Sequence, residues 1–356
     1  MVAEMRVLVA MSGGVDSSVA AGLLVAEGHD VVGVTLKLWG GESDTGCCSV
    51  SDTQDARRVA DLLGVQHHVF NFGDAFSEQV IGPYIDGHAA GLTPNPCVAC
   101  NHHIKFDKLM IRAAALGFDA VATGHHVRLA AVDGSYRVRR GVDMAKDQSY
   151  VLYMLNQGQL ARLLFPIGHL TKAEVRQHAQ ALGLRNAAKP DSQDVCFIAN
   201  RQGGRKGFLT RHLGESPGVV VDADGTVLSR VASVQAVTIG QRRGLNLGGS
   251  AEPRYVTDID LANSKVTVGC KEDLYTQTQP VEHIVWADMA VAGPVEVQVS
   301  AHGIPTVATV DTTRSTLCWQ EPQRRVAPGQ AVAFYQGDLV VGGAVASGAV
   351  DASLKG

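Results

Sequence analysis

The segment from Arg6 to Glu27, RVLVAMSGGVDSSVAAGLLVAE, constrains the fold more than any other part of the chain. It begins with an apolar run, Val7 to Met11, whose β-branched content is typical of a buried parallel strand. A glycine turn follows, and from about Ser17 apolar residues recur at helical spacing. A strand, a glycine turn and a helix N-terminus direct unsatisfied backbone N–H groups and the positive end of the helix dipole at one point. The segment therefore predicts an anion-binding site.

The turn itself reads SGGVDSS at residues 12–18. Its glycines let the backbone approach a phosphate, its serines add hydroxyl donors, and Asp16 is a candidate to organise the loop or to bind Mg²⁺ on the phosphates. No Gly-Lys-Ser/Thr follows, so this is not a Walker loop, and the missing lysine suggests that pyrophosphate is bound as a leaving group. A strand–helix turn with capping serines is the simpler alternative. The complete motif resembles the PP-loop of ATP pyrophosphatases, which activate a carbonyl or carboxylate oxygen with AMP.

The first half of the chain alternates predicted strands and helices, which indicates a doubly wound parallel α/β sheet. Further strands are predicted at 31–38, 67–71 and 120–123, a hairpin at 127–140, and helices at 54–63, 76–90, 104–116, 150–164 and 172–182. Residues 93–101 are predicted to be irregular because Pro94 and Pro96 interrupt regular structure. Ligands of such sheets bind beyond the carboxyl ends of the strands, where the glycine turn, Leu36 and the TGHH motif at 123–126 all fall.

The residue pattern changes after about residue 214, where short runs of Val, Thr and Ile alternate with Gly and Pro turns. This pattern predicts a small β-rich domain and a C-terminal β-barrel. The basic, glycine-rich residues 199–212 are predicted to form a flexible segment near a domain boundary. We therefore expect a PP-loop ATP-binding catalytic domain at 1–205, a β-rich central domain at 206–275 and a C-terminal β-barrel at 276–356.

Composition narrows the class of protein further. The net charge of −4 argues against a strongly basic nucleic-acid binder, so any RNA contact would use local patches. No apolar run approaches the length of a membrane span, and the N-terminus lacks the layout of a signal peptide, so we expect a cytoplasmic protein without a membrane partner. The chain has 7 cysteines, an odd number that argues against a structural disulfide framework.

Two of these cysteines are candidate catalytic groups. Cys100 lies in NPCVACN just before a predicted helix, and a helix N-terminus stabilises a thiolate and makes it nucleophilic. Cys196 lies in another loop-like segment, DSQDVCFI at 191–198. An inert buried thiol is the alternative for either one. The CxxC at 97–100 also permits a metal site, and with Cys196 as a third thiolate an iron–sulfur cluster with one open iron is conceivable.

The other cysteines carry less information. Cys270 and Cys318 have no Cys or His at useful spacing and are interpreted as structural, while Cys47 and Cys48 are left unassigned.

Longer motifs extend over nearly the whole chain, and together they resemble the bacterial tRNA-specific 2-thiouridylase family of the PP-loop superfamily. They are SGGVDSS at 12–18, TPNPCVACNHHIKF at 93–106, ATGHH at 122–126, KDQSYVLY at 146–153, LFPIG at 164–168, DSQDVCFI at 191–198, IGQRRGLNLGG at 239–249 and PGQAVAFY at 328–335. The resemblance implies an ATP-dependent tRNA-uridine 2-sulfurtransferase. Such an enzyme adenylates the C2 oxygen of uridine 34 in tRNAs for Lys, Glu and Gln, and a persulfide sulfur then replaces that oxygen.

The resemblance also implies site residues and partners. Cys196 would carry the persulfide and Cys100 would help to release the sulfur, ending in a Cys100–Cys196 disulfide. ATP with Mg²⁺ is the implied co-substrate, and the implied partners are tRNA and a sulfur donor, either a cysteine desulfurase or a relay protein. The implied ATP-binding residues are Ala10, Met11, Ser12, Gly13, Gly14, Val15, Asp16, Ser17, Leu36 and Gly124. The implied tRNA-binding residues are Asn95, Pro96, Cys97, His125, Lys146, Asp147, Gln148 and Gln330.

One position departs from the family pattern. Many members have Asp where this chain has Cys97, and the resulting CxxC with Cys196 matches a variant for which a 4Fe–4S cluster, rather than a persulfide, has been proposed as the sulfur carrier. Two alternatives therefore stand beside the persulfide route: thiolation through a cluster on Cys97, Cys100 and Cys196, and another PP-loop synthetase that adenylates a small substrate. The last would need neither paired cysteines nor a β-rich half.

Overall fold

The computed structural model describes residues 4–38, 50–191, 195–198, 203–248 and 252–348. None of the helices in these ranges is both long enough and apolar enough to cross a membrane. The unassigned Cys47 and Cys48 lie outside the described residues.

The strands of the described residues are, in chain order, β1 Arg6–Ala10, β2 Asp30–Lys37, β3 Gln66–Asn71, β4 Ala120–Thr123, β5 Val127–Val132, β6 Ser135–Arg140, β7 Leu163–Leu164, β8 Gly218–Val221, β9 Val227–Val231, β10 Tyr255–Asp260, β11 Lys265–Gly269, β12 Tyr275–Trp286, β13 Pro294–Gln298, β14 Thr306–Asp311, β15 Thr316–Arg324, β16 Ala331–Gln336 and β17 Leu339–Ala346. The α-helices are α1 Val15–Ala26, α2 Val50–Leu63, α3 Gly73–Phe76, α4 Gly82–Ala89, α5 Pro96–Ala99, α6 Leu109–Ala115, α7 Gln157–Leu160, α8 Lys172–Ala181 and α9 Gly204–Leu213.

The first sheet is parallel and has the strand order β3-β2-β1-β4-β7, which confirms the predicted α/β fold. β1 lies in the middle, with Ala10 level with Val34 of β2 and with Thr123 of β4. Val7, Leu8 and Val9 are fully buried, as a central parallel strand requires. The carboxyl ends of β1, β2 and β4 therefore meet at one edge of the sheet.

The prediction that residues 93–101 are irregular holds for 93–95 but is wrong from Pro96 onwards. α5 begins at Pro96, a π-helical segment follows at Cys100–Lys108, and α6 continues from Leu109. Pro96 occupies the first helical position, where its missing N–H costs nothing. The Asn95 side chain caps the helix, since its Oδ1 accepts from the backbone N–H groups of Cys97 and Val98 at 3.0 and 3.4 Å.

The continuous helix predicted at 150–164 is also wrong. The segment forms a 3₁₀ turn at Ser149–Leu152, the short helix α7 and then strand β7. Asn156 and Gln159 form a capping box that starts a new helix. Pairing of β7 with β4 then draws Leu163–Leu164 into the first sheet, so tertiary contact overrides helical periodicity.

The segment predicted to be flexible at 199–212 contains helix α9. Phe208 and Leu209 of this helix are buried, and the Phe208 ring packs 6.0 Å from Tyr84 and 5.2 Å from Phe197. Burial of these side chains orders a stretch whose glycines and charges suggested mobility.

The remaining sheets confirm the predicted β-rich half. One sheet has the order β10-β11-β8-β9. The other runs β12-β15-β14-β13-β16-β17, and pairing of β12 with β17 closes it into a six-stranded barrel filled by side chains such as Trp319 and Phe334. The predicted hairpin forms as β5 and β6, and it joins the barrel sheet where Arg139 lies level with Leu339.

Candidate functional site

The glycine turn forms between β1 and α1, and the helix begins at Val15, two residues before the predicted start. Gly14 is the N-cap residue and supplies no side-chain cap. The Ser17 hydroxyl instead closes the turn, accepting from the Ser12 N–H at 3.1 Å and donating to the Gly14 carbonyl at 3.2 Å. The turn therefore lies at the N-terminus of a 12-residue helix, where the helix dipole favours a bound anion.

Two close backbone approaches explain the glycines around this turn. Gly13 has φ +73°, and a Cβ there would lie 2.3 Å from the carbonyl oxygen of Asp52. A Cβ on Gly124, beyond the end of β4, would lie 2.5 Å from the backbone nitrogen of Ser17. Only glycine fits at either place, so three segments converge on the start of α1.

A chain of charged side chains links the turn to the segment before Cys196. The Lys172 Nζ lies 2.7 Å from both carboxylate oxygens of Asp16 and 2.8 Å from Oδ1 of Asp191. Lys146 binds the other oxygen of Asp191 at 2.8 Å, and His126 Nε2 lies 3.1 Å from Asp16. Burial opposes ionisation of Asp191, but the hydrogen bonds from Lys146 and Lys172 lower its pKa to about 2.

The Asp16 carboxyl is held ionised in the same way. Burial raises its pKa, and the hydrogen bonds from His126 and Lys172 outweigh that effect and lower the pKa below its ordinary value. Its oxygens therefore serve as acceptors for Lys172, which favours the role of organising the loop.

A second lysine reaches the turn from the end of a 3₁₀ segment. The Lys189 Nζ lies 2.6 Å from Asp52, 2.8 Å from Asp55 and 3.3 Å from the Gly13 carbonyl oxygen. The sequence did not predict that Lys172 and Lys189 contact residues at the turn, because the motif itself contains no lysine. The Thr171–Glu174 capping box shows in the sequence where α8 begins, but nothing in it shows what the first residue of that helix contacts.

The candidate catalytic cysteines lie in the α/β part of the molecule, which also contains the glycine turn. Cys97 is exposed, Cys100 is buried and Cys196 is half-buried. Cys100 belongs to the apolar core beneath the sheet, and Cys196 packs against that same core, as does Ala10. The Phe197 ring anchors its segment 5.8 Å from Phe76 and 5.6 Å from Tyr84.

Chain length alone limits how far Cys196 lies from the charged network. Cys196 follows Asp191 by five positions, and an extended chain spans at most about 18 Å over that length. Ala10, Cys100 and Cys196 also contact the same apolar core, so both thiols and the strand that leads into the glycine turn lie in one lobe.

Three sequence profiles match successive parts of the chain. They describe a tRNA methyl transferase HUP domain at residues 5–200, a tRNA methyl transferase PRC-barrel domain at 206–270 and an aminomethyltransferase beta-barrel domain at 277–346. The tRNA-specific 2-thiouridylase MnmA of Corynebacterium efficiens is 48% identical over 95% of this chain and 98% of its own length. That of Mycolicibacterium smegmatis is 50% identical over 94% of this chain and 96% of its own length.

The chain belongs to the MnmA family. Solved structures are more distant. A 4-thiouridine synthetase–RNA complex with bound ATP is 16% identical, with a TM-score of 0.37 over 54% of this chain and 44% of that one, which is too weak to carry any argument.

The ATP-binding residues predicted from the MnmA family all lie at or beside the turn. Ala10 ends β1, and Met11 donates its N–H to Val34 of β2 at 2.8 Å. The Met11 and Leu36 side chains are buried, whereas Ser12 is exposed. Leu36 therefore lies in the core beside the sheet, and contact of these residues with ATP stays a prediction.

Four of the residues predicted to bind tRNA lie where α5 meets the barrel. Asn95 and Pro96 start that helix, and Cys97 is exposed on it. Gln330 comes from the barrel, and its Nε2 donates to the Thr93 carbonyl oxygen at 2.7 Å. The barrel thus fixes the position of the segment that carries Cys97 and Cys100.

The other predicted tRNA contacts serve internal hydrogen bonds. Asp147 is buried, lies 3.0 Å from Arg140 and accepts from the Ser149 hydroxyl at 2.7 Å. Gln148 accepts from the His126 N–H at 2.9 Å, and Lys146 binds Asp191.

His125 is similarly enclosed. It is buried, and its Nδ1 lies 2.7 Å from the Thr123 hydroxyl. Burial lowers the pKa of His125 well below its ordinary value, so the ring is neutral. Contact of His125, Lys146, Asp147 and Gln148 with tRNA stays a prediction.

Proposed function

We propose that this chain catalyses the ATP-dependent 2-thiolation of uridine 34 in tRNAs for Lys, Glu and Gln. The observation that carries the proposal is its identity of about half with tRNA-specific 2-thiouridylases over nearly the full length of both chains. The geometry supports it, because a phosphate-binding turn and two candidate thiols lie in one lobe. The substrate would place the enzyme in the cytoplasm, with adenylation assigned to residues 1–205.

The chemistry needs both parts of the site. The C2 oxygen of uracil attacks the α-phosphorus of ATP, and the P–O bond to pyrophosphate breaks. A persulfide on Cys196 then attacks C2, forming the C–S bond, and AMP leaves with the former C2 oxygen. The Cys100 thiolate attacks Sγ of Cys196 and breaks the S–S bond, which leaves 2-thiouridine and a Cys100–Cys196 disulfide. A thiol reductant and a sulfur donor, a cysteine desulfurase or relay protein, restore the persulfide.

We assign positioning roles to the charged residues. Lys172 bridges Asp16, in the phosphate turn, and Asp191, which starts the Cys196 segment. This bridge couples the seating of ATP and Mg²⁺ to the placement of the sulfur carrier.

The cluster alternative uses the same cysteines. Three thiolates on Cys97, Cys100 and Cys196 form a soft donor set that suits an iron–sulfur cluster with one open iron, which could carry the sulfur. Each thiolate of a cluster would bind a different iron, and the persulfide route also uses Cys100 and Cys196. We favour the persulfide, which needs only these two thiols, with Cys97 approaching the target base.

Substitution of the sulfur carrier tests the proposal. Cys196→Ser should abolish 2-thiouridine formation on unmodified tRNA, measured by mass spectrometry of nucleosides, while ATP-dependent pyrophosphate release and tRNA binding persist. Cys318→Ser, an exposed thiol on the barrel, is the matched control and should keep full activity. Undiminished thiolation by Cys196→Ser would exclude Cys196 from the reaction. Anaerobic purification with iron and sulfide assays separates the persulfide from the cluster.

A further inference from the structure

The π-helical segment that begins at Cys100 also carries a group of potential metal ligands. His103 Nδ1 lies 3.8 Å and His102 Nε2 lies 3.9 Å from the same oxygen, Oδ2, of Asp107. The two imidazole rings are stacked with centroids 4.4 Å apart. Within the part of the chain that the structure describes, this is the one group of three such donors whose ligand atoms all lie within 4.8 Å of one another.

The carboxylate of this group is already oriented by a neighbour. Gln159 Nε2 donates to the other oxygen of Asp107, Oδ1, at 2.6 Å and to the Phe106 carbonyl at 2.9 Å. Gln159 is buried and is itself fixed by the capping box at the start of α7. Metal-binding carboxylates are commonly hydrogen-bonded in this way on the oxygen that faces away from the metal.

The spacing suits a small cation. Zinc binds nitrogen and oxygen ligands at about 2.0–2.2 Å, so a tetrahedral ion holds neighbouring ligand atoms roughly 3.4 Å apart. The side chains of His102, His103 and Asp107 are each about 40% exposed, at 41%, 41% and 38%. Small rotations of these exposed side chains close the remaining gap, and solvent gives an ion direct access.

We propose that His102, His103 and Asp107 form a binding site for a divalent first-row transition-metal ion, with Zn²⁺ or Co²⁺ as its probe. Two imidazoles and one carboxylate are a donor set that such ions favour, whereas Mg²⁺ and Ca²⁺ prefer oxygen ligands. Three protein ligands leave a coordination position open. The ion would clamp the π-helical segment two residues beyond Cys100, which makes it a structural brace beside the reaction site.

Cobalt titration of the full-length protein tests the site. The metal-stripped chain should bind one equivalent of Co²⁺ with visible d–d bands and without sulfur-to-cobalt charge-transfer bands. His103→Ala and Asp107→Asn should each weaken this binding at least tenfold. Gln159→Ala, which removes the hydrogen bond to Asp107 together with those to the Phe106 carbonyl and the Asn156 N–H, should weaken it about tenfold or more. His68→Ala, an exposed histidine on β3, is the matched control and should bind as the parent does.

A second readout guards against misfolded variants. Zn²⁺ should raise the Tm of the parent and of His68→Ala by a few degrees but leave the Tm of His103→Ala unchanged, with circular dichroism confirming that each variant is folded. Two results would overturn the proposal. One is Co²⁺ binding that is equally tight in the parent and in His103→Ala; the other is a signal dominated by charge-transfer bands, which would assign the ion to the cysteines.

Discussion

Around the glycine turn, ion pairs join segments that are far apart in the sequence, as when Lys172 bridges Asp16 and Asp191. The interior of the barrel is instead built from apolar side chains such as Leu317, Trp319 and Phe334, which are almost fully buried. Charge pairs depend on the ions and ligands nearby, whereas packed apolar side chains do not. We therefore expect the ion pairs around the turn to rearrange when substrates bind, whereas the barrel beside them keeps its shape.

Glycines in the two regions offer the sharpest test of this difference. Gly13→Ala should reduce thiolation at least about 100-fold, because a methyl group would collide with the Asp52 carbonyl and displace the turn that we propose binds phosphate. Gly337 also has positive φ, at +60°, but lies on the β16–β17 turn with open space around it. Gly337→Ala should cost about 1 kcal/mol of stability and leave turnover unchanged. Initial rates of 2-thiouridine formation provide the measurement. Equal losses of rate in Gly13→Ala and Gly337→Ala would contradict the difference drawn between the turn and the barrel.

The lysine bridge offers the next largest effect. Lys172→Met keeps the length of the side chain but leaves Asp16 and Asp191 to repel each other, so we expect kcat for thiolation to fall roughly 10- to 100-fold. Arg314→Met is the control, because it removes only an exposed 3.9 Å ion pair with Asp311 at the edge of the barrel, and should change nothing. Rates at saturating ATP and tRNA would decide the matter; a kcat equal to that of the parent would show that the bridge is dispensable.

The pH dependence of stability also distinguishes the two regions, because a buried histidine lies in one and an exposed histidine in the other. Burial lowers the pKa of His88, in α4, to about 4 from its ordinary 6.5. The unfolded chain therefore binds a proton more readily between these values, and stability falls as pH drops from 6.5 towards 4.

Between pH 7 and pH 5 this histidine should cost about 2 kcal/mol of unfolding free energy. His88→Phe, which preserves a ring against Tyr84, should remove that share of the slope, as followed by urea unfolding at both pH values. His302→Phe, at an exposed position beside the barrel strands, should not alter it. Identical slopes for the parent and His88→Phe would refute the assignment.

The smallest effect on kinetics is expected where Gln330 of the barrel contacts Thr93, just before α5. Gln330→Ala removes the 2.7 Å hydrogen bond to Thr93, a loss of about 1 kcal/mol. We expect a several-fold rise in KM for tRNA with little change in kcat, because the segment carrying Cys97 becomes less well fixed. Gln323→Ala is the control for steady-state kinetics, because the Gln323 side-chain amide donates to the Glu321 carbonyl within the same strand. A change in kcat alone would mean that the joint serves the chemical step rather than binding.

The sequence was sufficient to predict strands β1 to β4 of the first sheet, the glycine turn and the barrel, since each rests on a local pattern such as apolar runs or turn residues. It did not predict α5, because proline was treated as a breaker although Pro96 stands at the first helical position with Asn95 as its cap. Nor could it predict the roles of Lys172 and Lys189. Asp16 and Asp52, which these two lysines contact beside the turn, lie more than a hundred residues away, and only the folded chain brings them together.

The hairpin β5–β6 has a consequence for synthesis on the ribosome. Its partner strand β17 is made about 200 residues later, as the last strand of the barrel. At ordinary elongation rates the hairpin edge waits about 10 to 40 seconds before that strand emerges. During this interval the nascent N-terminal part of the chain exposes an unpaired strand edge, so it is a substrate for chaperones and a site where premature termination would favour aggregation.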